Sequence, residues 1–295
     1  MIKNVYRRYE IWHDESKKNG YFHGILLVPI DNKQKIIKLL REIRQEHEFS
    51  DTDNIKFSGC LKKPKGKFIR NNLNLFSHII QTNAKGNTRI FNRSGKDVYK
   101  KNFDPFMEIN GLFGCRFGLL KIEDLYNSLD YFKNYRKKVE TTFRFIVKGC
   151  CHGMFDRNNP IRLDKFYFDG EKHYKGKIDL KRLIKGEWRS YCDIKKNIPI
   201  DARTMKNRKD ETKLVMNFVD NIVGGWRTLL SHEEDPNQVL FPLKEIYKRA
   251  RENKIFTNPN GRWYKSISFS EFCVVDNHPK FPNLFRNPNQ LTLWD

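Results

Sequence analysis

Strand-forming Tyr9, Ile11 and Trp12 lead into two adjacent acids, Asp14 and Glu15, followed by a polar break and Gly20. That order predicts a strand ending at the acids, beside a turn. Residues 21–29, Tyr-Phe-His-Gly-Ile-Leu-Leu-Val-Pro, are almost continuously apolar and suit a second strand buried on both faces. Apolar positions then take a helical period. Ile36, Ile37, Leu39, Leu40 and Ile43 form one face of a helix predicted to run from a cap at Asp31 or Asn32 to about His47. Residues 104–120, rich in Phe and Gly, fit neither period. From about 123, apolar residues including Leu125, Leu129, Phe143 and Val147 predict a long amphipathic helix reaching the 149–153 region.

The second half repeats the theme. Residues 161–169 alternate as a strand and end in Asp169 followed by Gly170. A helix at 180–188 and a short strand at 193–199 follow. A basic link at 203–209 leads into a helix at about 211–230, where Leu214, Val215, Phe218, Val219, Ile222 and Val223 are apolar. A further helix is predicted at 242–253 and an edge strand or hairpin at 263–275. The Asn/Pro-rich stretch 277–289 is expected to wrap the surface. The expected division is one domain over 1–230, with a C-terminal extension at 231–295 packed on it.

Chemistry enters at the acids. Adjacent strand residues point to opposite faces, so one of the Asp14/Glu15 pair faces a given cleft. Asp14 is the better candidate, with Glu15 a second ligand or a bystander; a solvated acidic turn is the plain alternative. Asp169 repeats the strand-end carboxylate and could meet Asp14 across neighbouring strands. His173 lies four residues on and reads by default as a surface histidine. Asp220 sits inside an otherwise apolar helix, which is costly unless it is paired, hydrogen-bonded or holding a metal. Gly224, one turn later, removes side-chain bulk beside it, as a close approach of strand, metal or backbone would require. The alternative places Asp220 on a polar helix face with Asn217 and Asn221.

Charge adds a candidate partner. The 295 residues hold 57 Lys plus Arg against 35 Asp plus Glu, a net charge of +22. Such a balance fits a polyanion such as nucleic acid or, less specifically, an anionic membrane surface. Residues 56–101 carry twelve Lys or Arg and a single acid, Asp97, interleaved with Phe57, Phe68, Phe76, Phe91 and Tyr99. Basic residues neutralise phosphates and aromatics stack on unpaired bases, so this stretch is a candidate nucleic-acid surface, with Lys56, Lys62, Lys63, Lys65, Lys67 and Arg70 as contacts. A solvated insertion with its aromatics packed beneath is the alternative. Lys206, Arg208 and Lys209, just before the Asp220 helix, are further candidates to hold a strand. Six cysteines without a Cys-x-x-Cys pair indicate neither a zinc ribbon nor a disulfide framework, and Cys150-Cys151-His152 reads as buried thiols beside a helix-capping histidine. No apolar run suits a membrane span or a signal peptide, which points to a cytoplasmic protein.

The order of elements resembles the RNase H-like fold, an α/β architecture with a mixed central sheet flanked by helices, here with a basic insertion at about 54–120. The motifs are similar to those of domain-of-unknown-function family 3800. Asp14-Glu15-Ser16 stands for its opening Asp-Glu-Ser, and the run from Val215 to Gly224 for its helix of the type Leu-Gln-Leu-Ala-Asp-Leu-x-x-Gly, with Asn217 for Gln and Val219 for Ala. Asn54-Ile55-Lys56-Phe57-Ser58 stands where the family often shows Glu-Ile-Lys-aromatic-Ser. The resemblance implies a nuclease in which Asp14, Asp169 and Asp220, with Glu15 as a catalytic candidate, hold Mg²⁺ or Mn²⁺ for hydrolysis of DNA or RNA. It also implies a bacterial effector against phage or mobile DNA, working alone or with a protein partner or guide. Asn54 departs from the pattern, and Asp53 or Glu15 would have to replace the family's Glu. That departure motivates a competing expectation, a non-catalytic nucleic-acid-binding subunit with a degraded metal site. A polynucleotidyl transferase shares the chemistry but needs DNA-end-binding domains that the sequence does not suggest.

Overall fold

The computed structural model describes residues 7–17, 21–57, 65–80, 114–122, 135–155, 161–169, 192–194, 198–235, 238–252, 266–276, 278–280 and 284. The fold is α/β. Its strands are β1 (Arg7–Ser16), β2 (Tyr21–Pro29), β3 (Arg116–Ile122), β4 (Ile161–Phe168), β5 (Cys192–Ile194), β6 (Ile200–Asp201), β7 (Ile267–Val275) and β8 (His278–Lys280). They form a mixed sheet in the order β5-β4-β1-β2-β3-β7-β8, with β6 also beside β4. β1, β2 and β3 are antiparallel neighbours, whereas β4 runs parallel to β1 and β7 parallel to β3. Described helices are α1 (Lys33–Glu46), α2 (Lys65–Ile79), α3 (Tyr135–Met154), α4 (Thr212–Leu230) and α5 (Phe241–Arg251).

Two cores follow from the alternation of side chains across the sheet. Trp12, Phe22, Leu26 and Tyr167 face α1, α2, α4 and α5, while Tyr9, Ile11, Ile25 and Phe166 face α3. β2 is buried along its whole length, as its unbroken apolar run requires. No described helix is long and apolar enough to cross a membrane.

Several expectations change. α1 follows a short 3-10 turn, Ile30–Asn32, and neither acid nor amide caps it: Asn32 makes no side-chain cap hydrogen bond. β3 overlaps the end of the stretch that fitted no period and runs two residues past it, with Phe117, Leu119, Leu120 and Ile122 buried. It carries apolar residues on both faces, so it has no alternation to read. The basic insertion is partly core. α2 packs against α4 and α5, and Phe57, Phe68 and Phe76 are buried, so these aromatics are not available to stack on bases. Phe91 and Tyr99 lie outside the described residues, as do His173 and the 180–188 helix. The C-terminal residues extend the sheet through β7, which sits between β3 and the short β8. Cys150 and Cys151 are buried on α3, and neither is in a disulfide.

α4 lies over β1 and β2, and glycine makes that possible. Gly24 is the β2 partner of Asp14, and a Cβ there would stand 2.2 Å from Val223 Cγ2 on α4. Gly24→Ala is expected to lose about 1–3 kcal/mol through overpacking. Adding Val223→Ala should recover part of it, so the double variant will be more stable in urea denaturation than the sum of the two single losses.

Candidate metal centre at the strand ends

Asp14 is the eighth residue of β1 and shares the α4 face with Trp12, while Glu15 points to the α3 face. β4 runs parallel to β1 with His13 opposite Phe168, so the next step of that register brings Asp14 beside Asp169. Asp220 comes from α4, which crosses above. The three carboxylates named from sequence therefore meet at one end of the central strands.

Their electrostatics register the meeting. Burial pushes the Asp14 carboxyl well above the usual carboxylate range, and the charges of Asp220, Asp169 and Glu15 push it the same way. Asp220 is raised to about 6, by burial first; the Phe57 N–H and Lys56 oppose that rise, and Asp169 adds to it. Like charges gathered in a dry place are unfavourable without a counter-charge.

Two backbone N–H groups hold the cluster. Phe57 N–H donates to Asp220 Oδ2 at 2.7 Å, and Met205 N–H donates to Asp169 Oδ1 at 3.0 Å. The first contact explains Gly224. A Cβ at Gly224 would lie 2.4 Å from Phe57 Cγ, so glycine admits the Phe57 segment against α4 beside Asp220. Sequence reasoning missed both donors because a backbone N–H has no residue signature; the signal within reach was the glycine one turn after the acid. Lys56 Nζ completes the arrangement, 4.0 Å from Asp169 Oδ2.

The remaining candidates separate. Glu15 accepts from the Tyr21 hydroxyl at 2.6 Å and pairs with Lys17 at 2.7 Å, away from the α4 side. Asp53 takes the Ser50 N–H at 2.7 Å, and Asp53 and Asn54 are both exposed. Lys65, Lys67, Lys206 and Lys209 are exposed and Arg70 is half-buried, over the Phe241 ring. Arg208 is a correction: it is buried and donates to Phe168 O and Asp201 O, so it holds the fold and does not face a ligand. Lys62 and Lys63 lie outside the described residues. Asn217 and Asn221 are buried, so Asp220 does not sit on a solvent-facing polar stripe.

The donor set suits a hard cation. All three side chains offer oxygen, the preference of Mg²⁺ and Mn²⁺, whereas Cys150 and Cys151 are buried in the core on the α3 side of the sheet. Among the described residues, however, no group of three or more His, Cys, Asp and Glu already has the spacing of a ligand set. Asp169 and Asp220 each commit an oxygen to the backbone, and Lys56 brings positive charge beside Asp169. The chain matches no family model, no curated protein and no solved structure.

Proposed function

We propose that the protein is a divalent-metal-dependent nuclease with an RNase H-like domain, hydrolysing phosphodiester bonds of DNA or RNA. The observation that carries this reading is the convergence of Asp14, Asp169 and Asp220 from two neighbouring strand ends and a crossing helix, close enough that the charges of Asp220 and Asp169 push up the pKa of Asp14 and that of Asp169 pushes up the pKa of Asp220. An RNase H-like fold gathers carboxylates from central strands and a late helix in the same way. The motif resemblance to domain-of-unknown-function family 3800, and with it the role of a bacterial defence effector, supports the reading from a separate side.

In this reading Asp14, Asp169 and Asp220 hold Mg²⁺ or Mn²⁺. When bound, such ions supply charge neutralisation and an activated water for attack on a phosphodiester. The chain's own residues supply the rest. Phe57 and Met205 orient Asp220 and Asp169 through backbone N–H groups, and the Trp12–Tyr167 stack, with ring centroids 3.7 Å apart, forms a rigid floor two residues back along both strands. Lys206 follows the Met205 anchor directly and is exposed, which suits it to a phosphate of the bound strand.

Asn54, exposed and standing where the resembling family shows Glu, favours a second reading, a nucleic-acid-binding subunit without catalysis. Labelled single- and double-stranded DNA and RNA, incubated with Mg²⁺, Mn²⁺ or EDTA, separate the two. Metal-dependent cleavage by the wild type, lost in Asp14→Asn, is the expected result. Binding without cleavage under every condition sinks the nuclease reading in favour of the subunit.

A further inference from the structure

Lys56 has a fixed backbone and a movable side chain. It lies between the buried Ile55 and Phe57, and the Phe57 N–H is bonded to Asp220. Upstream, Asp53 O accepts from Arg44 and Thr52 O accepts from Lys213, so the stretch from Thr52 to Phe57 is tied down. Its side chain is 50% exposed, with the ammonium 4.0 Å from Asp169 Oδ2. A four-carbon stem on a pinned backbone can carry that ammonium either over the carboxylates or out into solvent.

We propose that Lys56 is the resident counter-cation of the Asp14/Asp169/Asp220 cluster and competes with a divalent ion for it. The inference rests on the metal-site reading above. Three converging carboxylates need positive charge nearby, and among the described residues Lys56 is a half-exposed cation paired with Asp169. An ammonium held at that position also repels an incoming divalent cation, so Lys56 must turn outward for the cluster to accept one. The protein thus keeps the cluster tolerable without metal and sets a threshold concentration for metal uptake.

Calorimetric titration of Mn²⁺ into metal-free wild type, Lys56→Gln, Lys56→Arg and Asp220→Asn tests this. Lys56 is exposed, so its variants are expected to fold. Lys56→Gln should bind Mn²⁺ more tightly, on the order of three- to tenfold given the solvent screening of a half-exposed charge. Lys56→Arg should stay near wild type, and Asp220→Asn should lose the binding. Without metal, Lys56→Gln should also melt below wild type, and saturating Mn²⁺ should close that gap. Equal or weaker Mn²⁺ binding by Lys56→Gln, with wild type binding and Asp220→Asn not, overturns the counter-cation role and leaves the metal site standing. Wild type and Asp220→Asn alike in failing to bind Mn²⁺ overturns both.

Discussion

Arg208→Ala is expected to destabilise the fold by about 3–5 kcal/mol, because removing one member of a buried charged pair leaves its partners unsatisfied. Arg208 is 1% exposed. It donates to the carbonyls of Phe168 and Asp201, sits 3.2 Å from Asp201 Oδ2, and reaches Thr212 Oγ1 at 3.2 Å. It therefore ties the end of β4 to β6 and to the first turn of α4. Phe168 directly precedes Asp169, so the loss should also loosen the carboxylate cluster and weaken Mn²⁺ uptake. Arg208→Lys should recover only part of the stability, since an ammonium cannot reproduce the planar fork. Urea denaturation measures the loss; a cost under 1 kcal/mol would mean that the contacts are incidental.

The acid limb gives a second handle on the same network. Burial pushes Asp201 up, but the hydrogen bond from Arg203 and the charge of Arg208 more than reverse it, to about 2. A carboxyl lowered on folding contributes stability that is complete above its unfolded value near 4 and is lost as pH falls through 2. Arg208→Ala should shrink that acid-dependent part, and stability in the variant should change less between pH 4 and pH 2.

Much of this architecture was legible along the chain because periodicity tracks burial. β1, β2, β4, α1 and α4 were readable from alternation, an unbroken apolar run or a helical stripe, and their order placed Asp14 and Asp169 on neighbouring strand ends. β3 was not readable, since a central strand flanked by β2 and β7 is apolar on both faces, and its Gly118 and the Gly114 just before it look like loop residues. The glycine at 118 answers to packing instead: a Cβ there would collide with the Cys150 side chain on α3. At the site, residue types announced the acids but not their supports. Composition marked Lys56 and Arg208 alike as basic surface, and only burial separates them. Lys56 is exposed at the cluster, whereas Arg208 is interior.

Asp220→Asn should move stability and function in opposite directions. In the folded protein the Asp220 carboxyl titrates at about 6, above its ordinary 3.8, because burial and Asp169 disfavour the charge more than Phe57 and Lys56 favour it. The folded state therefore binds this proton more tightly than the unfolded chain. Between about pH 4 and pH 6 unfolding releases it, so the metal-free protein loses stability as pH rises through that window. Above pH 6 the whole penalty is present, about 1–3 kcal/mol for a shift of this size at a partly accessible site. Asparagine carries no charge and can still accept the Phe57 N–H through its side-chain oxygen. In EDTA at pH 7–8 the variant should thus melt above wild type, with a flatter stability profile from pH 4 to 6. With Mn²⁺ the order should reverse. Wild type gains binding energy, about 2.7 kcal/mol at a hundredfold excess over the dissociation constant, and the variant does not. Cleavage, where wild type shows it, should fall on the order of a thousandfold. A metal-free variant less stable than wild type would mean that the charged carboxylate is held for its bond to Phe57, as a structural tie between the segment before α2 and helix α4. A more stable one would identify a charge that the fold keeps at a cost to itself, which is the signature of a group retained for a ligand.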